Sequence, residues 1–376
     1  MDFAHLKAFM DAAVPRLGMS GIDCMIYKEH KEIFRYTAGF GDMENKTPLA
    51  TDAIYNVYSA TKIVTCVAAL KLVERGMMLL TDPLHRYLPE FKDMLVKTGT
   101  LFILPAKKQI RVVDLFAMTA GFTYEGNSPA LEKLKQDTDG DFNLREFAQA
   151  LAKEPLAFEP GEAWNYSFCH DVLGALVEVV SGMSFGDYLK QHIFDPLEMK
   201  DTGFDLPEEK AGRLAPQYSY NPLTGTIVRI SGNNLARLGK RFESAGAGMI
   251  TTVDDYMRFA SALANGGVGA NGVRVISERA LGLLTQNRLK GRLLEDFWKI
   301  GLPEGYGYGL GVAVLLDPEA CMSMVPKGVF SWAGMGGVQV RIDPANKIAF
   351  FVAQHALNSP VVLIGPQMMN ALYSGI

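Results

Sequence analysis

An α+β fold, an antiparallel β-sheet flanked by helices with an inserted all-helical domain, is predicted by three features of the sequence. Alternating apolar and polar runs occupy residues 22–42 and again 308–354, the period-two signature of strands. Between them, over residues 80–211, helical periodicity broken by Pro and Gly takes over. The chain has 376 residues, more than the roughly 250–300 at which a single core stops growing. The expected organisation is two intertwined domains. Residues 1–79 with 212–376 form the sheet domain, residues 80–211 form the helical one, and the site lies in the cleft between them.

The elements follow in order. Phe3, Leu6, Met10, Ala13 and Leu17 recur at helical spacing with Asp2, Lys7 and Asp11 between them, an amphipathic first helix. IDCMIYKEH and KEIFRYTAGFGD read as two strands meeting at a polar turn. From Ser59 the run SATKIVTCVAALKLVERG is apolar on nearly every face and stops at Gly76, which marks a helix inside the molecule. LREFAQALAKEP, HDVLGALVEVVSG and FGDYLKQHIF carry the helical insertion. A helix at VDDYMRFASALANGG, strands at YGLGVAVLL, VQVRID and KIAFFVAQ, and a last helix near PQMMNALYSG complete the chain.

Hydrophobic residues make up 48% and charged residues 21%, with a net charge of −4, a balance that suits a globular protein. The basic residues are scattered and form no field for phosphate backbones or anionic lipids, so neither nucleic acid nor a membrane is an expected partner. No basic segment leads into an apolar core, and no run of about 18 apolar residues occurs, so a cytoplasmic location is expected. Cys24, Cys66, Cys169 and Cys321 lack zinc-like spacing and read as small buried hydrophobes. His85 and His170 have no partner at metal spacing. No metal and no cofactor are expected. Gly307, Gly309 and Gly311 lie within a strand run and read as backbone packing, not as a nucleotide loop.

Two serines invite a catalytic reading. Ser184 lies in Gly182-Met183-Ser184-Phe185-Gly186, which fits G-x-S-x-G, but that motif needs a strand entering the turn. Here a helix enters and another leaves, so Gly182 reads as a C-cap and Ser184 as an N-cap. Ser59 opens Ser59-Ala60-Thr61-Lys62. Residues three apart share a helix face, so Lys62 can reach the Ser59 hydroxyl, and the helix N-terminus favours a developing alkoxide. Lys62 is also the one charged residue between Ser59 and Leu70. The bland alternative is an N-capping serine with a snorkelling lysine.

Residues in four regions resemble, in order and approximate spacing, the penicillin-binding, class C β-lactamase and family VIII esterase group. They are VYSATKIVTCVAALKLVERG with DPLHRYLPEF, then DLFAMTAGF, then FEPGEAWNYSFCHDVLGALVEVVSGMSFGDYLKQHIFDPLEMKDTGF, and last SWAGMGGVQVRIDPANKIAFFV. The resemblance implies the β-lactamase/transpeptidase-like fold, with Ser59 as nucleophile and Lys62 and Tyr166 as its proton handlers. Which of these two is the base stays open. It also implies an oxyanion hole from the backbone N–H groups of Ser59 and Met335.

Two departures bear on substrate. The group's Tyr-x-Asn is here Tyr166-Ser167-Phe168, and its Lys-Thr-Gly is Trp332-Ala333-Gly334. The first loses an amide for an acylamino carbonyl; the second loses a cation and a hydroxyl for a β-lactam carboxylate. Trp-x-Gly is similar to the strand motif of family VIII esterases, so the resemblance implies hydrolysis of small carboxylic esters. Phe168, Trp332, Ala333 and Gly334 are the expected pocket residues, with Gln354 and His355 as polar groups on the neighbouring strand. Amide or β-lactam hydrolysis and acyl transfer are the enzymatic alternatives on the same fold, and a silent scaffold is the non-enzymatic one.

Overall fold

The computed structural model describes residues 1–17, 19–99, 102–124, 128–359 and 361–376, with the backbone alone for 361–364. Strand β1 (Gly21–Lys28) turns through Glu29 and His30, both at positive φ, into β2 (Lys31–Asp42). That backbone matches the twist of the paired strands. With β3 (Thr47–Pro48), β4 (Tyr306–Tyr308), β5 (Ala313–Leu315), β6 (Phe330–Ala333), β7 (Gln339–Asp343) and β8 (Ile348–Ala353), they form one eight-stranded sheet ordered β4-β5-β6-β7-β8-β1-β2-β3. Every pairing in it is antiparallel. The two ends of the chain meet where β1 lies beside β8, with Cys24 opposite Val352.

Alternation along the strands sorts side chains onto two layers. Ile26 and Phe350 face helix α1 (Ala4–Arg16), whose Leu6 and Met10 join a cluster with Met368, Met369 and Leu372 of the C-terminal helix Val361–Tyr373. Met25, Val340 and Phe351 face the other way, against helix α2 (Thr61–Glu74) and against α4 (Val253–Ala264), whose Tyr256 stacks on Phe351 at 4.6 Å. The helical insertion packs beyond α2, chiefly through α3 (Cys169–Ser181). Among the described residues, no single helix is long and apolar enough to cross a membrane.

Two expectations need correction. YGLGVAVLL is not one strand but the hairpin β4–β5, closed where the Gly309 N–H donates to the Val312 carbonyl at 2.8 Å and Gly311 takes φ 89°. The insertion is not wholly helical either. Leu95–Thr98 pairs with Phe102–Pro105 in an antiparallel ribbon, as the apolar and β-branched residues of LVKT and FILP favour.

Candidate active site

The short strand Tyr55–Asn56 pairs with Ile250–Thr251 and leads through a tight turn, Tyr58–Ala60, into α2. Tyr58 sits at φ 45°, a left-handed conformation that costs a non-glycine residue about 1–2 kcal/mol. Its buried ring and a hydrogen bond from its hydroxyl to Gln217 Oε1 hold it there. The turn brings Ser59 to the wall of a cavity of about 710 Å3.

One helical turn on, Lys62 is fully buried. Its Nζ donates to Ser59 Oγ at 3.3 Å, to Tyr124 Oη at 3.4 Å and to the Gly246 carbonyl at 2.7 Å. The Gly246 N–H donates to Asp171 Oδ1 at 3.1 Å, as does Ser244 Oγ at 2.7 Å. Segment 244–249 is stapled to α2 as well, since Thr65 Oγ1 donates to the Ala245 carbonyl and the Met249 N–H donates to Thr61 Oγ1. Asp171 stands on α3, so this strap ties α3 to α2. Burial pushes the Asp171 carboxyl up, while the Lys62 charge and its two donors pull the other way. Position 246 has no room for a side chain, because a Cβ there would lie 2.6 Å from Asp171 Oδ2.

Tyr166 presents its ring to Lys62, whose Nζ is 4.6 Å from the ring centroid, a cation–π distance. Trp332 Nε1 donates to Tyr166 Oη at 3.2 Å. Indole is a donor only, so Tyr166 accepts in this contact and its own hydroxyl proton is left for another partner. The end of β6 closes on the segment leading into the Tyr58–Ala60 turn at Gly334, where a Cβ would lie 2.2 Å from the Val57 carbonyl oxygen. Met335 follows at the cavity wall, and its N–H has no backbone acceptor among the described residues. Aromatic and aliphatic side chains, including Phe168, Phe242 and Leu238, make up most of the remaining lining.

A seryl hydroxyl within reach of a buried amine, with a tyrosine against the same amine, is an arrangement for moving one proton on and off a nucleophile. The beta-lactamase family model matches residues 4–364. The chain belongs to the beta-lactamase family. Protein Rv1367c of Mycobacterium tuberculosis (strain ATCC 25618 / H37Rv) is 30% identical over 367 residues, covering 94% of this chain and 89% of the relative. Esterase EstB of Burkholderia gladioli is 29% identical over 367 residues, covering 91% and 87%. Among solved structures, EstCE1, described as a hydrolase with promiscuous acyltransferase activity, superposes with a TM-score of 0.82 at 23% identity over 98% of this chain and 97% of its own. That likeness shows the shared fold of this beta-lactamase-family chain, an antiparallel sheet flanked by helices.

Ser59, Tyr166, Phe168, Trp332, Ala333, Gly334 and Met335 all line the one cavity, and Lys62 reaches it from beneath through Ser59. Gln354 and His355 do not. β8 ends at Ala353 and the chain turns inward, so His355 is buried with Nδ1 on the Ala215 carbonyl at 2.7 Å and Nε2 beside Asn56 Nδ2 at 3.2 Å. Burial holds its imidazole down at about 4. Gln354 is buried against Gly337. Ser184 lies outside the cavity and caps its helix, accepting from the Asp187 N–H at 3.2 Å, after Gly182 ends α3 at φ 73°. Sequence reasoning missed Tyr124, Asp171 and Gly246, which packing over long separations brings to Lys62. Asp171 alone left a trace, as an acid in the first turn of an apolar helix.

Proposed function

We propose that this chain is a carboxylesterase of the family VIII type that cleaves small carboxylic esters through an acyl-enzyme on Ser59. The observation that carries the reading is the 3.3 Å contact between Lys62 Nζ and Ser59 Oγ at the wall of a mainly apolar cavity. Ser59 Oγ attacks the ester carbonyl carbon while its proton passes to the Lys62–Tyr166 pair, and the N–H groups of Ser59 and Met335 hold the oxyanion. The carbon–oxygen bond to the alcohol breaks as the pair returns that proton to the leaving oxygen. Water then attacks the acyl-serine, gives its proton to the same pair, and releases the acid as Ser59 regains its hydrogen. Phe168 and Trp332, standing where amide, cation and hydroxyl groups would meet a β-lactam, favour an ester, as does the esterase among the relatives.

The test compares p-nitrophenyl butyrate with a chromogenic cephalosporin, using wild type, Ser59→Ala and Ser184→Ala. Ester turnover lost in Ser59→Ala and kept in Ser184→Ala, with little cephalosporin cleavage, is expected. Dominant cephalosporin cleavage would overturn the substrate class, and turnover surviving Ser59→Ala would overturn the mechanism.

A further inference from the structure

The cavity continues past the nucleophile. Ser331 and Trp332 are neighbours on β6 and so point to opposite faces of the sheet, yet both line the cavity, which therefore passes round the edge of this strand. The edge is open because β5 pairs with β6 only through Ala313 opposite Ser331 and Val314 opposite Phe330. On the far face the cavity meets Ala313, Ser331 and Arg341, and Arg341 lies directly across the β6–β7 ladder from Ser331.

Arg341 is poorly satisfied for a charged group in such a place. Its Nη1 donates to the Val340 carbonyl at 3.1 Å, its Nε is buried with no acceptor, and no carboxylate pairs with it among the described residues. Burial works against its charge. Gln339, two residues earlier on the same face, has both amide atoms buried without a partner among the described residues. Buried polar groups without partners carry a penalty that a ligand of the right chemistry removes. A guanidinium fork takes both oxygens of a carboxylate, and the Ser331 hydroxyl is a further donor on the cavity wall.

We infer that the far end of the cavity is a carboxylate-binding subsite, and that the substrate is a half-ester of a dicarboxylic acid whose free carboxylate is held by Arg341. The acyl side is the one to be anchored there, because the acyl group stays bound through both steps whereas the alcohol must leave after the first. This substrate class rests on the ester reading above; the subsite itself does not.

The experiment has a kinetic arm and a binding arm. Wild type, Arg341→Met and Arg341→Lys are assayed on mono-p-nitrophenyl suberate and on its neutral methyl ester. Arg341→Met is expected to lower kcat/KM for the acid by roughly thirtyfold or more, mainly through KM, as for a lost buried charge pair. The neutral ester should change by less than about threefold, which also reports an intact fold, and Arg341→Lys should recover part of the loss. Equal losses on both esters, or none on the acid, overturn the subsite. In the second arm, suberate is titrated calorimetrically into wild type and Arg341→Met. Binding that depends on Arg341 supports the subsite even if neither ester is turned over, in which case only the ester reading falls; equal or absent binding in both proteins overturns the subsite.

Discussion

Asp171 and Lys62 are joined through the backbone of a single residue: the Gly246 N–H donates to Asp171 Oδ1 at 3.1 Å and the Gly246 carbonyl accepts from Lys62 Nζ at 2.7 Å. The carboxylate therefore fixes the strap that orients the amine, and its charge offsets that of Lys62 without touching it. Asp171→Asn keeps an acceptor for Ser244 and Gly246 but removes the charge. Its kcat is expected to fall roughly ten- to hundredfold, the scale of about 1.5–3 kcal/mol for a buried charge-assisted bond. Tm should hold or rise, because burial already disfavours the ionised carboxyl. Steady-state kinetics beside a thermal melt checks both, and full activity in the variant would remove Asp171 from the mechanism.

Trp332→Phe separates packing from donation. The ring contacts with Tyr166 at 5.6 Å and Tyr308 at 5.4 Å are kept in kind, while the hydrogen bond to Tyr166 Oη is lost. A single such bond is worth about 1 kcal/mol, so kcat should drop by roughly fivefold with a smaller change in KM. Ester kinetics with and without the indole N–H decides it.

Gly334→Ala places a methyl group against the Val57 carbonyl oxygen, at 2.2 Å before relaxation. The strand end must then move away from the turn that carries Ser59. Overpacking of this kind costs about 1–3 kcal/mol, and the shift displaces Met335 from Ser59. A lowered Tm together with a loss of kcat of at least about a hundredfold is the expected result, read by calorimetry and initial rates.

Glu178 supplies a pH test away from the site. Burial pushes its carboxyl up to about 7, with Glu243 adding repulsion, and it stands in the last turn of α3, where the helix dipole opposes negative charge. The folded protein keeps this proton above the pH at which the unfolded chain, near 4.5, releases it. Its stabilising contribution is therefore present in full below pH 4.5 and is lost as pH rises through about 7. The Tm of Glu178→Gln minus that of wild type should increase from pH 5 to pH 8, a trend that thermal melts across this range would show or refute.

Some of this was legible in the sequence because it is local. Ser59 and Lys62 lie on one helix face through their spacing, Gly182 and Ser184 declare two helix ends, and alternation located most strands. What stayed hidden depends on distant packing. Nothing near Tyr124 or Gly246 announces that both will reach Lys62, and Tyr58 gives no sign of a left-handed backbone, since the tertiary contacts of its ring and hydroxyl enforce it. Gln354 and His355 were misplaced by extending β8 past Ala353, where the chain leaves the sheet. The turn inside YGLGVAVLL was masked by glycines that serve equally for packing and for bending.

The meeting of β1 with β8 sets a timetable for the living cell. Ser59 and Lys62 leave the ribosome well before the strand that carries Trp332 and before the strand that pairs with β1. Pairings between segments so distant in sequence are slow to form, so Ser59 is made long before the wall that Trp332 gives its cavity. A premature stop anywhere before residue 330 leaves Ser59 and Lys62 without the wall that Trp332 and Gly334 supply. The cavity wall is thus finished only when β6 and β8 have joined the sheet.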